Sequence, residues 1–113
     1  MITLSSRCDG PTLTISVPGR LDFSCCHDFR ACYAQAPASV RHYVVDLADA
    51  THLDPSALGM LLLLRAHAGG GDKVLLLNMN NCVWQTLSAA GFDRLFCISP
   101  SGFAGSQALA ACG

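Results

Sequence analysis

Two strand-length apolar runs limit the folds open to this chain: HYVVDL at 42–47 and KVLLLN at 73–78. Val44, Val45 and Leu47 suit a strand buried on both faces, not one with an alternating wet face. Between the runs lies HLDPSALGMLLLLRAH, His52 to His67, a helix-length apolar segment stopped by GGGD. Two buried strands joined through a helix form a right-handed crossover and lie parallel. An α/β fold follows.

The flanking segments extend this unit. ITLSSR and TLTISV are short β-rich runs separated by the turn signal CDGP, and they predict an N-terminal hairpin. PGRLD breaks the second run. From Phe23 to about Gln35, Phe23, Cys26, Phe29, the stem of Arg30 and Tyr33 recur at helical spacing, with Asp22 or Ser24 as cap and APAS as stop. NNCVWQTLSAAG predicts a helix with an Asn cap and a Gly stop, presenting Val83, Leu87 and Ala90 on one stripe. RLFCIS is a last short strand, and SGFAGSQALAAC a weak terminal helix or tail. The expected order is β-β-α-β-α-β-α-β: a mixed, mostly parallel sheet of four to five strands with helices packed against it. At 113 residues the chain reads as one domain, 1–113, with its core at about 2–98 and the tail at 99–113.

Composition removes several function classes. One Lys and six Arg are scattered singly, so no basic stripe tracks a phosphate backbone, and nucleic acid is not an expected partner. No 18 apolar residues run together, so membrane insertion is not expected either. The seven cysteines contain no CxxC and no Cys/His pairing at zinc-ligand spacing, so neither a metal nor a cofactor is expected. Their odd number and the lack of a signal peptide suggest reduced thiols in a cytoplasmic protein.

The start of the central helix carries the chemistry. Asp54 suits the N-cap, its carboxylate accepting from first-turn amides, and Pro55 suits the first helical position, where an N–H has no partner. Ser56 follows at the positive helix end, where a phosphate would meet free amides but be repelled by Asp54. On the helical wheel Ala57, Met60, Leu61, Leu64 and Ala68 form the core stripe. Leu58, Leu62 and Leu63, with Gly59 and Ala66, lie opposite, where an outer helix should be charged. Either the tail FAGSQALAAC covers this face or it is a partner site.

GRLDF, YVVDLADATHLDPSALGMLLLL and KVLLLN together resemble a STAS domain, the SpoIIAA-like fold of bacterial anti-sigma factor antagonists. The likeness runs from about Thr12 to Ile98, and its most specific part is the D-x-S-x-L-G helix start. SALGMLLLLR resembles antagonists whose site reads D-S-S-A-L-G-M-L and which act in phosphorylation-dependent partner switching. The resemblance implies a non-enzymatic protein whose partner is an anti-sigma factor and serine kinase. The unmodified form binds that partner and the phosphorylated form releases it. Asp54 then matches the motif acid, and Leu58 and Gly59 match the helix that meets the partner. The expected partner-binding set is Asp54, Pro55, Ser56, Leu58, Gly59, Leu62 and Leu63. The usual acceptor position is Pro55, which has no hydroxyl, so Ser56 is the phosphoacceptor candidate, with Thr51 the other hydroxyl in the loop. The rigid proline favours a binder without an efficient switch.

Three other readings stay open. The first is a STAS accessory subunit of a transporter, for example a lipid transporter, or of a sensory complex. The second is a homodimer closing the apolar face across a two-fold axis. The third is a thiol enzyme using CCHD, Cys25 to Asp28, although helix neighbours point apart and cannot form a triad locally. His42, His52 and His67 are isolated, and GGGD follows a helix, the wrong context for a phosphate loop. No catalytic residue is expected.

Overall fold

In the computed structural model, residues 4–100 are described. Chain order is β1 (Ser5–Asp9), β2 (Thr12–Ser16), β3 (Gly19–Leu21), α1 (Cys26–Ala34), β4 (His42–Asp46), β5 (Ala50–Leu53), α2 (Pro55–Ala68), β6 (Val74–Met79), α3 (Asn81–Ala89) and β7 (Cys97–Pro100). One sheet runs β1-β2-β4-β6-β7. The β1/β2 pair is antiparallel, and β2/β4, β4/β6 and β6/β7 are parallel. The five expected strands thus make the expected mixed sheet, with the hairpin at its edge.

β4 and β6 are buried on both sides, as their unbroken apolar runs require. Ile15, Val45, Val74 and Leu76 from one sheet face pack with Phe29, Leu61, Leu64 and Leu87 from the helices. Val44, Leu75, Leu77 and Cys97 form a second cluster from the alternate strand positions.

Two strands lie outside the sequence expectation. β3 and β5 pair in parallel as a separate two-stranded sheet. They are three and four residues long, with only their ends buried, so neither shows a period-2 signal. The first helix also differs. Its first turn, Phe23–Cys25, is a 3-10 turn capped by Asp22, which accepts from the Ser24 amide. The tighter winding shifts the phase, so Cys25 enters the core and Phe23 faces out. Arg30 and Ala90 are exposed too and leave their expected stripes. Cys8, Cys25, Cys26, Cys32 and Cys82 are free thiols, whereas Cys97 is disulfide-bonded and departs from the expected reduced state. The expected terminal helix lies outside the described residues.

The GGGD stop works through two different glycines. Gly69 ends α2 in the left-handed conformation, at φ 90°. At Gly71 a Cβ would run into the carbonyl oxygen of Leu95, which also accepts from Arg65 Nε at 3.0 Å. Gly59 sits within α2 with open space where a Cβ would project. Gly71→Ala is therefore expected to cost about 1–3 kcal/mol through backbone displacement. Gly59→Ala should stabilise by about 0.5–1 kcal/mol through helix propensity. Urea denaturation of the two variants checks both signs.

Candidate functional site

Parallel pairing of β3 with β5 places Arg20 beside His52 and Leu21 beside Leu53. The ladder continues one step, with the Asp54 amide donating to the Leu21 carbonyl at 3.0 Å. The turn after β3 is thereby fixed against the start of α2. Asp54 holds the N-cap position in extended backbone (φ −77°, ψ 157°), and Pro55 opens the helix.

The Asp54 carboxylate does not cap, contrary to the sequence expectation. Its Oδ1 accepts from Arg20 Nη2 at 3.3 Å and its Oδ2 from the Ser56 hydroxyl at 3.1 Å. The first turn explains the diversion. The Ala57 amide, one of the two that a capping carboxylate takes, donates instead to the Asp54 carbonyl at 2.8 Å. A guanidinium supplied by β3 is a stronger, charge-assisted donor than the amide that remains.

Arg20 also reaches Asp22, with Nε 3.7 Å from Oδ2. Asp22 Oδ1 in turn accepts from both the hydroxyl and the amide of Ser24. A polar chain Ser24–Asp22–Arg20–Asp54–Ser56 therefore links the 3-10 turn to α2. The Ser24 hydroxyl is the main cause holding the Asp22 carboxyl below its usual range. The Ser24 amide, Arg20 and Cys25 add to this, while desolvation opposes it.

Apolar exposure continues from this corner along α2. Leu62 is 42% and Leu63 58% exposed, and Pro55, Gly59 and Ala66 are exposed as well. Ala57, Met60, Leu61 and Leu64 are buried as the wheel required, and Ala68 is half-buried. Leu58 differs from the expectation: it is half-buried and packs against the core, since the 3.6-residue repeat sets it at the edge of the stripe. Asp54 and Ser56 are half-buried. Phe23, expected in the core, is 74% exposed and directly follows Asp22. Neither Arg20 nor Phe23 carries a site signal in the sequence. GRLDF held both, but their position depends on the unforeseen β3/β5 pair.

Other sites gather less. Cys25 faces the core while His27 and Asp28 are exposed, so the CCHD segment does not converge on one side. Among the described residues no group of three or more His, Cys or Asp is placed to hold a metal ion, and no helix is long and apolar enough to cross a membrane. A cleft of about 940 Å³ lies between α1 and the hairpin, lined by Leu4, Ser6, Cys8, Leu13 and Cys32 among others; Ser24 lines it too, but Asp54 and Ser56 do not.

A family model described as "Mlab, STAS domain" matches residues 5–98, most of the chain. The chain belongs to the STAS family. A STAS-domain containing protein of Pseudomonas aeruginosa is 48% identical over 99 residues, covering 87% of this chain and 98% of the relative. In fold, this STAS domain is similar to an anti-sigma factor antagonist from Mycobacterium paratuberculosis, with a TM-score of 0.78 at 20% identity over 99% of this chain and 94% of that one. It is also similar to the Bacillus cell fate determinant SpoIIAA in its phosphorylated form, with a TM-score of 0.64 at 19% identity over the whole of both chains. The sequence resemblance to STAS domains and the expected SpoIIAA-like fold both hold.

Because Asp22 ionises below its unfolded-chain value, its stabilising contribution is present above that value and is lost as pH falls through the folded-state one. Ser24→Ala removes the main cause. The Asp22 carboxyl should then titrate nearer its ordinary value, and the acid-side loss should shrink. Carbon-13 NMR titration of Asp22 checks this, and an unchanged midpoint would contradict the assignment.

Proposed function

We propose that this STAS domain is a non-enzymatic regulatory module. It binds an anti-sigma factor that is also a serine kinase, through the start and outer face of α2. The observation that carries the reading is the continuity of the Asp54–Pro55–Ser56 corner with exposed Leu62 and Leu63 on one helix. Apolar side chains at 42% and 58% exposure beside a hydroxyl–carboxylate pair suit a partner interface modulated by charge. Anti-sigma factor antagonists among the structural relatives, one of them in a phosphorylated form, support this choice.

Ser56 is the hydroxyl assigned to modification. It is half-exposed, and its proton points to Asp54. Incubation with the cognate kinase and ATP, followed by intact-mass analysis, should give one phosphate in the wild type and none in Ser56→Ala. If the wild type takes no phosphate, the domain is a permanent binder and Ser56 is not its switch. Pro55 is the observation behind a second reading, an accessory subunit of a transporter or sensory complex. That subunit would use the same face, and affinity purification after photo-crosslinking at residue 63 separates it by the identity of the partner.

Leu63→Asp and Leu62→Asp should each abolish partner binding in calorimetry while leaving the circular dichroism spectrum intact. Truncation of Leu61 or Leu64 to Ala should instead cost about 2–5 kcal/mol of stability, because both are fully buried. Sedimentation of the wild type and Leu63→Asp tests self-association. A dimer lost in the variant would assign the face to a second copy.

A further inference from the structure

We propose that Arg20 is the residue that binds a phosphate carried by Ser56, giving up Asp54 to do so. This deepens the assignment of Ser56 above and rests on it.

In the unmodified state the Asp54 carboxylate stands between the two groups, one oxygen on the guanidinium and the other on the hydroxyl. Phosphoryl transfer from a nucleoside triphosphate forms the Ser56 Oγ–P bond and breaks the bridging P–O bond to the nucleoside diphosphate. The hydroxyl proton is lost to solvent. Ser56 then has nothing to donate, so its hydrogen bond to Asp54 disappears. A phosphate of charge about −1.5 to −2 faces Asp54 instead and repels it.

Two donors compete for that phosphate. The helix start is a weak one here, because Pro55 has no N–H and the Ala57 amide is already bonded to the Asp54 carbonyl. The guanidinium is the stronger, since its planar fork matches phosphate oxygens and carries full charge. Both ion pairs among the described residues belong to Arg20. Its side chain is 56% exposed. The Nε side can stay with Asp22 while the Nη2 end changes partner. Arg20 lies three residues before Phe23, so the exchange links the charge on Ser56 to the turn that presents the exposed ring.

The test installs phosphoserine at position 56 of the full chain by genetic encoding. Phosphorus-31 resonances are then titrated in the wild-type, Arg20→Gln and Arg20→Lys backgrounds. The second ionisation of the phosphate is expected lower in the wild type than in Arg20→Gln by about half a pH unit or more, as an opposite charge in contact produces at an exposed site. Arg20→Lys, which keeps the charge without the fork, should fall between them. In the phosphorylated wild type the Arg20 Nε resonance should shift with the same midpoint, a readout that needs no substitution. Identical phosphate titrations in all three backgrounds, or an Arg20 Nε resonance indifferent to the phosphate, would overturn the proposal. Because the phosphate is encoded, neither result depends on a kinase. A kinase that fails to modify Ser56 would count against the switch and not against this contact.

Discussion

Parallel pairing of β4 with β6 is the constraint from which the rest of the molecule follows. Parallel neighbours cannot be joined by a tight turn, so a crossover element must climb the sheet between them. α2 is that element, and Ala57, Met60, Leu61 and Leu64 anchor it to the sheet. Once α2 is seated, its first turn has to leave β5 at one place, where the Leu21 carbonyl takes the Asp54 amide. The corner holding Asp54 and Ser56 is thus a product of the main sheet's topology and of one added backbone bond.

The legible parts of the fold were those with a local period. HYVVDL and KVLLLN announced buried strands, Asn80 announced the cap it makes with the Val83 amide, and Gly69 the end of α2. The apolar run of α2 was legible on both sides, since Leu62 and Leu63 are exposed and Leu61 and Leu64 buried. Segments governed by distant contacts were not legible. β3 and β5 exist because they pair across about thirty residues, with nothing in three or four side chains to mark them. Phe23 fits an amphipathic helix by spacing, and only the 3-10 winding of its turn moves it outward. Arg20 meets Asp54 at a separation of 34 residues, beyond any window of sequence.

Asp54 shows how a local rule yields to a tertiary one. Asp before Pro at a helix start normally places its carboxylate on the first amides. Here the Ala57 amide goes to the Asp54 carbonyl, and β3 delivers a cation to the same spot. The carboxylate turns toward the stronger field. Its position on the chain is that of a cap, while its bonds join two elements and orient a hydroxyl.

The carbonyl of Leu95 accepts from Arg65 Nε and lies close against the backbone of Gly71. The connection from α2 to β6 and the one from α3 to β7 are therefore keyed to each other. Neither loop can change length alone without parting the other from its seat. Engineered insertions or new chain ends belong instead in the segment between α1 and β4, where Pro37, Ala38 and Ser39 are exposed.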